Sequence, residues 1–198
     1  MAKLYFRYSA MGAGKSLDLL KVAYNYEERG MKALIFNSEL DTRFGRECVA
    51  SRAGIHMDAI PYGAETDFAA LYRQSRSGIG RDIHCLLVDE AQFLTKKQVE
   101  DIVHIVNDDK GPVICYCLRT DFMGQLFEGS TWLLAWADAI EELKTVCWCG
   151  RKATMNARVV DGRIVRQGEQ VQIGGNESYL ALCREHYLSG ELEREGRD

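Results

Sequence analysis

KLYFRYSAMGAGKS, residues 3–16, runs from a short apolar pattern into a loop of small residues and then a Lys-Ser pair. Leu4, Tyr5, Phe6 and Tyr8 read as a strand, Gly14-Lys15-Ser16 closes the loop, and a helical pattern starts at once. Strand, loop and helix in that order build a phosphate-binding P-loop, because backbone N–H groups of the loop and of the helix N-terminus converge on one anion. Ser9, Ala10, Met11, Gly12, Ala13, Gly14, Lys15 and Ser16 follow the pattern GxxxxGK[ST] with one departure: serine stands at the first glycine position. In this motif the lysine reaches the β- and γ-phosphates of ATP and the hydroxyl after it holds Mg²⁺. Ser9 changes the entry turn and leaves Lys15 and Ser16 in place.

The pattern after the loop predicts a helix over 16–29, with Leu17, Leu20, Val22, Ala23 and Tyr24 on its apolar face and Gly30 just past its end. KALIFN, 32–37, then reads as a buried strand, and strand–helix–strand with continuous apolar runs is the signature of a parallel sheet. Residues 38–54 are polar and carry Arg43, Arg46 and Arg52. They leave a strand end, where ligands bind in open α/β sheets, so an arginine there either clamps phosphate or sits on a solvated surface. Residues 57–61 read as a short strand and 67–76 as a helix.

IHCLLVDE, 83–90, is an apolar strand ending in two carboxylates, the Walker B pattern. Asp89 is placed to hold Mg²⁺ beside the phosphates. Glu90, projecting differently, can take a proton from an attacking hydroxyl. A helix follows over 95–107, its start marked by a Thr95/Gln98 capping box, and PVICYCL, 112–118, is another buried strand. Cys85, Cys115 and Cys117 lie inside strands and read as core residues. Phe122 and Phe127 stand in the loop 119–129, where they either stack on a base or anchor the loop. A helix rich in apolar residues, Trp132 and Trp136 among them, is expected over 130–139.

Cys147-Trp148-Cys149-Gly150 and, further on, Cys183-Arg184-Glu185-His186 supply two close pairs of soft ligands. Cys-x-Cys with Cys-x₂-His completes a tetrahedral Cys₃His site for Zn²⁺, and with four protein ligands the metal is structural. Between the pairs, 157–165 and 167–173 read as two strands around the turn signal Asp161-Gly162, and Tyr179 as the start of a short helix. The expected division is a P-loop domain over 1–143, a zinc-binding unit over 144–190 and a frayed charged tail over 191–198.

The chain has 198 residues and a net charge of −4, so its bulk field favours neither nucleic acid nor an anionic membrane. No apolar run approaches a membrane span and no signal-peptide pattern is present. A cytoplasmic location is expected, where seven cysteines act as thiols or metal ligands. Two rivals remain at this point. A P-loop ATPase driven by nucleic acid, with the zinc ribbon as its grip, is disfavoured by the acidic balance and the missing basic stripe. A nucleotide switch of the GTPase kind would carry Asn-Lys-x-Asp, and the chain has no such tetrapeptide.

Taken together, SAMGAGKS, LLVDEAQFL, LRTDF, CWCGRKAT, IGGNESY and CREH make the chain resemble the type II, cytosolic thymidine kinase family in its bacterial form. The resemblance spans nearly the whole chain. It implies an α/β fold, a P-loop NTPase (RecA-like) parallel sheet flanked by helices, with a small C-terminal zinc-ribbon domain carrying a lasso loop. It implies transfer of the γ-phosphoryl group of Mg-ATP to the 5′-hydroxyl of thymidine. Ser9 to Ser16, Asp89, Gln92 and, more loosely, Arg52 then match the ATP and Mg²⁺ side, and Glu90 the general base. Met11, Phe93, Leu118 and Phe122 match residues around the thymine, and Gln170, Val171, Gln172, Ile173 and Tyr179 the lasso over base and sugar. Cys147, Cys149, Cys183 and His186 match the zinc ligands. A homotetramer and feedback inhibition by dTTP are implied by the resemblance alone.

Overall fold

A computed structural model of the chain describes residues 1–77, 83–170 and 179–192. The first half alternates strand and helix: β1 (Leu4–Ser9), α1 (Lys15–Glu27), β2 (Lys32–Ser38), β3 (Cys48–Ala50), β4 (His56–Asp58), β5 (Ile60–Tyr62), α2 (Phe68–Ser77) and β6 (Ile83–Val88). A 3₁₀ turn (Ala91–Phe93), α3 (Lys96–Asn107), β7 (Val113–Leu118), α4 (Glu128–Trp136) and β8 (Ala139–Glu142) complete the main sheet. The C-terminal part holds β9 (Thr145–Val146), β10 (Lys152–Ala153), β11 (Met155–Val160), β12 (Arg163–Val165), β13 (Tyr179–Leu182) and α5 (Arg184–Ser189).

Six strands form one sheet in the order β5-β2-β6-β7-β1-β8, every adjacent pair parallel. Successive strand residues point to opposite faces, and here both faces are apolar. Leu86 and Val88 join the core under α2, α3 and α4, while Cys85 and Leu87 join the one under α1. That explains why β6 and β7 are unbroken apolar runs: helices cover both sides. Parallel order also puts the carboxyl ends of β1, β2, β6 and β7 on one edge, so the loops leaving them share a single cleft.

The helix starts follow local chemistry. Thr95 caps α3: its hydroxyl accepts from Gln98 N at 3.3 Å and Gln98 Oε1 accepts from Thr95 N at 3.0 Å. Asp67 caps α2, its carboxylate accepting from Ala70 N at 2.8 Å. Early in α4, a Cβ on Gly129 would lie 2.3 Å from the Ala91 carbonyl, so only glycine lets that helix rest on the turn after the Asp-Glu pair.

Several expectations need correction. In α1 the buried stripe is Leu19, Leu20 and Ala23, whereas Leu17 and Tyr24 are exposed. At 100° per residue the sheet-facing stripe is narrow, and Leu17 falls on the cleft side instead. The short strand expected over 57–61 is two strands: β4 pairs antiparallel with β3, and β5 joins the sheet edge. Helix α4 lies two to three residues earlier than expected and leaves Trp136 half exposed. The hairpin at Asp161-Gly162, both with positive φ, joins β11 to β12 within 155–165. Residues 167–170 are not a strand, and 171–173 lie outside the described residues. Tyr179 opens a strand, not a helix, because β13 pairs antiparallel along β11 from Arg158 to Met155. The helix starts only after Cys183.

Candidate active site

The phosphate loop leaves β1 at Ser9 and enters α1 through Gly14. Gly12 and Gly14 hold φ of 73° and 79°, and an added Cβ on either would meet nothing within 4 Å. Backbone conformation rather than crowding therefore requires glycine, since the left-handed region costs other residues ~1–2 kcal/mol. Lys15 Nζ lies 3.4 Å from Ser9 Oγ, so the serine at the motif's first position steadies the lysine. Ala10 is buried behind the loop, while Met11, Gly12, Gly14, Lys15 and Ser16 line the cleft.

Ser16 donates its hydroxyl to Asp89 Oδ2 at 2.9 Å. The two predicted magnesium ligands, from opposite ends of the chain's first half, thus meet. Asp89 is buried; burial above all, then the charge of Glu90, pushes its carboxyl up to about 6, against the pull of Lys15 and the Ser16 hydroxyl. Glu90 follows with φ 50°, a left-handed conformation unusual for a side chain of its kind. The chain turns sharply there, so the two carboxylates diverge.

Tyr62 holds that turn. Its hydroxyl is shared between the carbonyls of Glu90 (2.8 Å) and Asp89 (3.2 Å), and the side chain is fully buried. Tyr62→Phe is expected to cost about 1–3 kcal/mol, the penalty for leaving a buried carbonyl unpaired, with the urea midpoint as the readout. An unchanged midpoint would mean that water replaces the hydroxyl.

Both carboxylate oxygens of Glu90 are held. Oε1 accepts from Arg43 Nη2 at 2.5 Å, and Oε2 accepts from the Gln92 side-chain amide. Arg43 is itself fixed by two bonds to Asp41, at 2.7 and 2.9 Å. Gln92, buried, also accepts from Leu118 N at 3.1 Å, so its amide bridges Glu90 to the end of β7. The resemblance groups Gln92 with the ATP and Mg²⁺ side, and its amide lies beside the Glu90 carboxylate.

A cleft of about 360 Å³ opens from the phosphate loop past Glu90. Met11, Phe93, Leu118, Phe122, Gln170 and Tyr179 line it, so the described residues expected around the base come together. Phe93 meets Phe127 edge to face at 6.0 Å, and both ring systems wall the apolar end. Arg52 lines the cleft from its exposed rim. Val171, Gln172 and Ile173 lie outside the described residues.

Four further residues bind these parts together. Asn156, buried in β11, accepts from Met11 N at 2.8 Å and donates to the Thr120 carbonyl at 2.8 Å. Asp121 accepts from Met123 N and Gln125 N at 2.8 and 2.9 Å and from the Gln170 amide at 3.0 Å. Asp41 and Arg43 fix Glu90. Asp41, Arg43 and Asp121 all follow strand ends, a position that marks ligand-side residues in such sheets. Asn156 lies inside a ribbon strand and gives no such signal.

Cys147, Cys149, Cys183 and His186 converge with all donor atoms within 4.8 Å of one another. Cys147 Sγ lies 3.4 Å from His186 Nδ1 and Cys149 Sγ 4.0 Å from Cys183 Sγ. Tetrahedral zinc with Zn–S of ~2.3 Å and Zn–N of ~2.1 Å gives edges of roughly 3.5–3.8 Å. The donor set therefore fits zinc in both chemistry and spacing. Gly150, φ 86°, closes the knuckle, donating to the Cys147 carbonyl at 2.8 Å. Trp148 stacks on the His186 ring at 4.1 Å, and Glu191 stands 3.5 Å from its other nitrogen, which orients the imidazole.

Comparison with known proteins agrees with this geometry. A family model described as thymidine kinase matches residues 2–187. A thymidine kinase of Yersinia pseudotuberculosis serotype I is 53% identical over 188 residues, covering 94% of this chain and 95% of the relative. One from Haemophilus influenzae strain Rd is 52% identical over 189 residues, covering 94% and 96%. One from Rhodopirellula baltica is 53% identical over 195 residues, covering 98% and 92%.

Proposed function

The chain belongs to the thymidine kinase family, and from that premise we propose that it transfers the γ-phosphoryl group of Mg-ATP to the 5′-hydroxyl of thymidine, giving dTMP, with deoxyuridine as a second acceptor. The observation that carries this reading is one cleft running from Lys15 and Ser16 past the Glu90 carboxylate to an aromatic end. Phosphoryl transfer needs positioning and charge neutralisation more than covalent chemistry. Lys15 and the loop N–H groups take the charge of the phosphates. Ser16 and Asp89 would hold magnesium, which would supply positive charge against the developing charge of the transferred phosphoryl group. Glu90 accepts the proton of the 5′-hydroxyl, its carboxylate held in place by Gln92 and Arg43.

Met11, Phe93, Leu118 and Phe122 enclose the base, and residues 170–173 with Tyr179 cover base and sugar. Excluding water there keeps ATP from being hydrolysed. Arg52 reaches the phosphate side from the rim. Zinc, held by Cys147, Cys149, Cys183 and His186, fixes the ribbon from which those residues extend. We place the phosphate-binding domain at 1–143, the zinc unit at 144–190 and a tail beyond. The enzyme acts in the cytoplasm as a homotetramer inhibited by dTTP. Among the described residues no helix is long and apolar enough to cross a membrane.

The test is ADP release from Mg-ATP with thymidine, with each other nucleoside and with single-stranded DNA. Turnover with thymidine, and with deoxyuridine at most, accompanied by a monophosphate product, supports the reading. Stimulation by DNA and none by thymidine removes the acceptor assignments and the base role of Glu90.

A further inference from the structure

Arg158 is a cation with almost no access to water: the residue is 5% exposed in β11. Among the described residues no carboxylate lies within ion-pair reach of it. Burying an unpaired charge is costly, and a leucine or methionine of similar size would fill the space without that cost. What the guanidinium touches accounts for its presence. Nε donates to the Tyr179 hydroxyl at 2.9 Å and Nη2 to the Glu169 carbonyl at 2.9 Å. Its Cζ lies over the Phe122 ring, 3.7 Å from the ring centre.

Glu169 precedes Gln170, and Gln170, Tyr179 and Phe122 all line the cleft. One planar fork therefore ties the Glu169 carbonyl to the Tyr179 hydroxyl and lies against the Phe122 ring at the wall of the cleft. Gly168 serves the same contact. Its φ of 130° turns the chain so that the Glu169 carbonyl faces Arg158, and a Cβ there would stand 3.5 Å from Arg158 Nη1. Of the three groups held, Tyr179 and Phe122 line the cleft, while Arg158 is set behind them.

We infer that Arg158 is a positioning residue for the acceptor nucleoside: it sets the Phe122 ring, the Tyr179 ring and the chain entering Gln170 at the spacing that fits the base. It acts on the acceptor half of the site and leaves the phosphate half alone. Lysine cannot replace it, because a single ammonium has neither the fork that spans two acceptors nor a flat face for the ring.

The inference rests on the proposed acceptor, so the wild-type enzyme is assayed first. Absence of thymidine-dependent ADP release there defeats the proposed function rather than the role of Arg158. With wild-type activity in hand, Arg158→Met and Arg158→Lys are compared by steady-state kinetics in both substrates and by thermal unfolding. The expected result is a thymidine KM raised at least tenfold in both variants, with the ATP KM within twofold. Arg158→Lys is expected to keep an unfolding temperature near wild type and still lose thymidine affinity. If Arg158→Met does not fold, Arg158→Lys carries the test by itself. A thymidine KM within twofold of wild type in Arg158→Lys, or equal rises in both KM values, overturns the inference.

Discussion

Glu90→Gln is expected to lower kcat by about two to four orders of magnitude, the range for loss of a general base. At 1.36 kcal/mol per tenfold, that is roughly 3–5 kcal/mol of transition-state stabilisation. Glutamine matches the shape but not the charge. Its amide can still accept from Arg43 or from Gln92, though not from both, since one of its two ends becomes a donor. Arg43 stays paired with Asp41, so the local fold persists. The ATP KM and ADP affinity are therefore expected within about threefold of wild type, since Lys15, Ser16 and Asp89 are untouched. Steady-state kinetics and calorimetric ADP binding check the two halves of the statement. A kcat within fivefold of wild type would remove Glu90 from the base role and shift attention to Asp121, the other buried carboxylate lining the cleft.

Loss of the metal is the second large effect. The small core of the ribbon comprises Cys147, Ala153, Ala157, Leu182, Cys183 and Tyr187, two of which belong to the Cys₃His cluster proposed to hold zinc. So little apolar surface does not hold a fold unaided, and structural zinc supplies about 10–16 kcal/mol of apparent binding energy in small domains. Cys183→Ser is expected to reduce zinc from one atom per chain to well under half, with a broadened unfolding transition at lower temperature. The damage should reach the acceptor more than ATP, because Tyr187, on the helix just past Cys183, donates to the Phe122 carbonyl at 2.7 Å. Elemental analysis, calorimetric unfolding and the two KM values give the readout. Full zinc content with an unchanged transition would show that the remaining three ligands suffice.

What the sequence disclosed follows the range over which each signal acts. The phosphate loop, the Asp-Glu strand end, the capping box and the two ligand pairs are local patterns, each readable within eight residues, and each stands where it was expected. The pairing of Glu90 with Arg43 was not legible, because Arg43 lies 47 positions away in a loop whose three arginines look alike. Only the turn from β2 to β3 selects one of them. Tyr179 was misplaced in a helix because YLAL suits either state, and pairing with β11 decides. Leu17 belongs by sequence to the apolar face of α1, yet it faces the cleft. Arg158 gave no sign at all, since a lone arginine in a strand usually points to solvent.

Asn156 has a consequence for how such chains can be recombined. Both ends of one amide are committed, to Met11 on the phosphate loop and to Thr120 after β7. A hybrid taking its nucleotide half from one relative and its ribbon from another would have to match at this side chain, alongside Tyr187 and Gln170, as well as at the peptide bond. A smaller or acidic residue there would strand a buried N–H or a buried carbonyl in the other parent's half. The two halves are thus matched at position 156, where a mismatch would leave one of these buried groups unpaired.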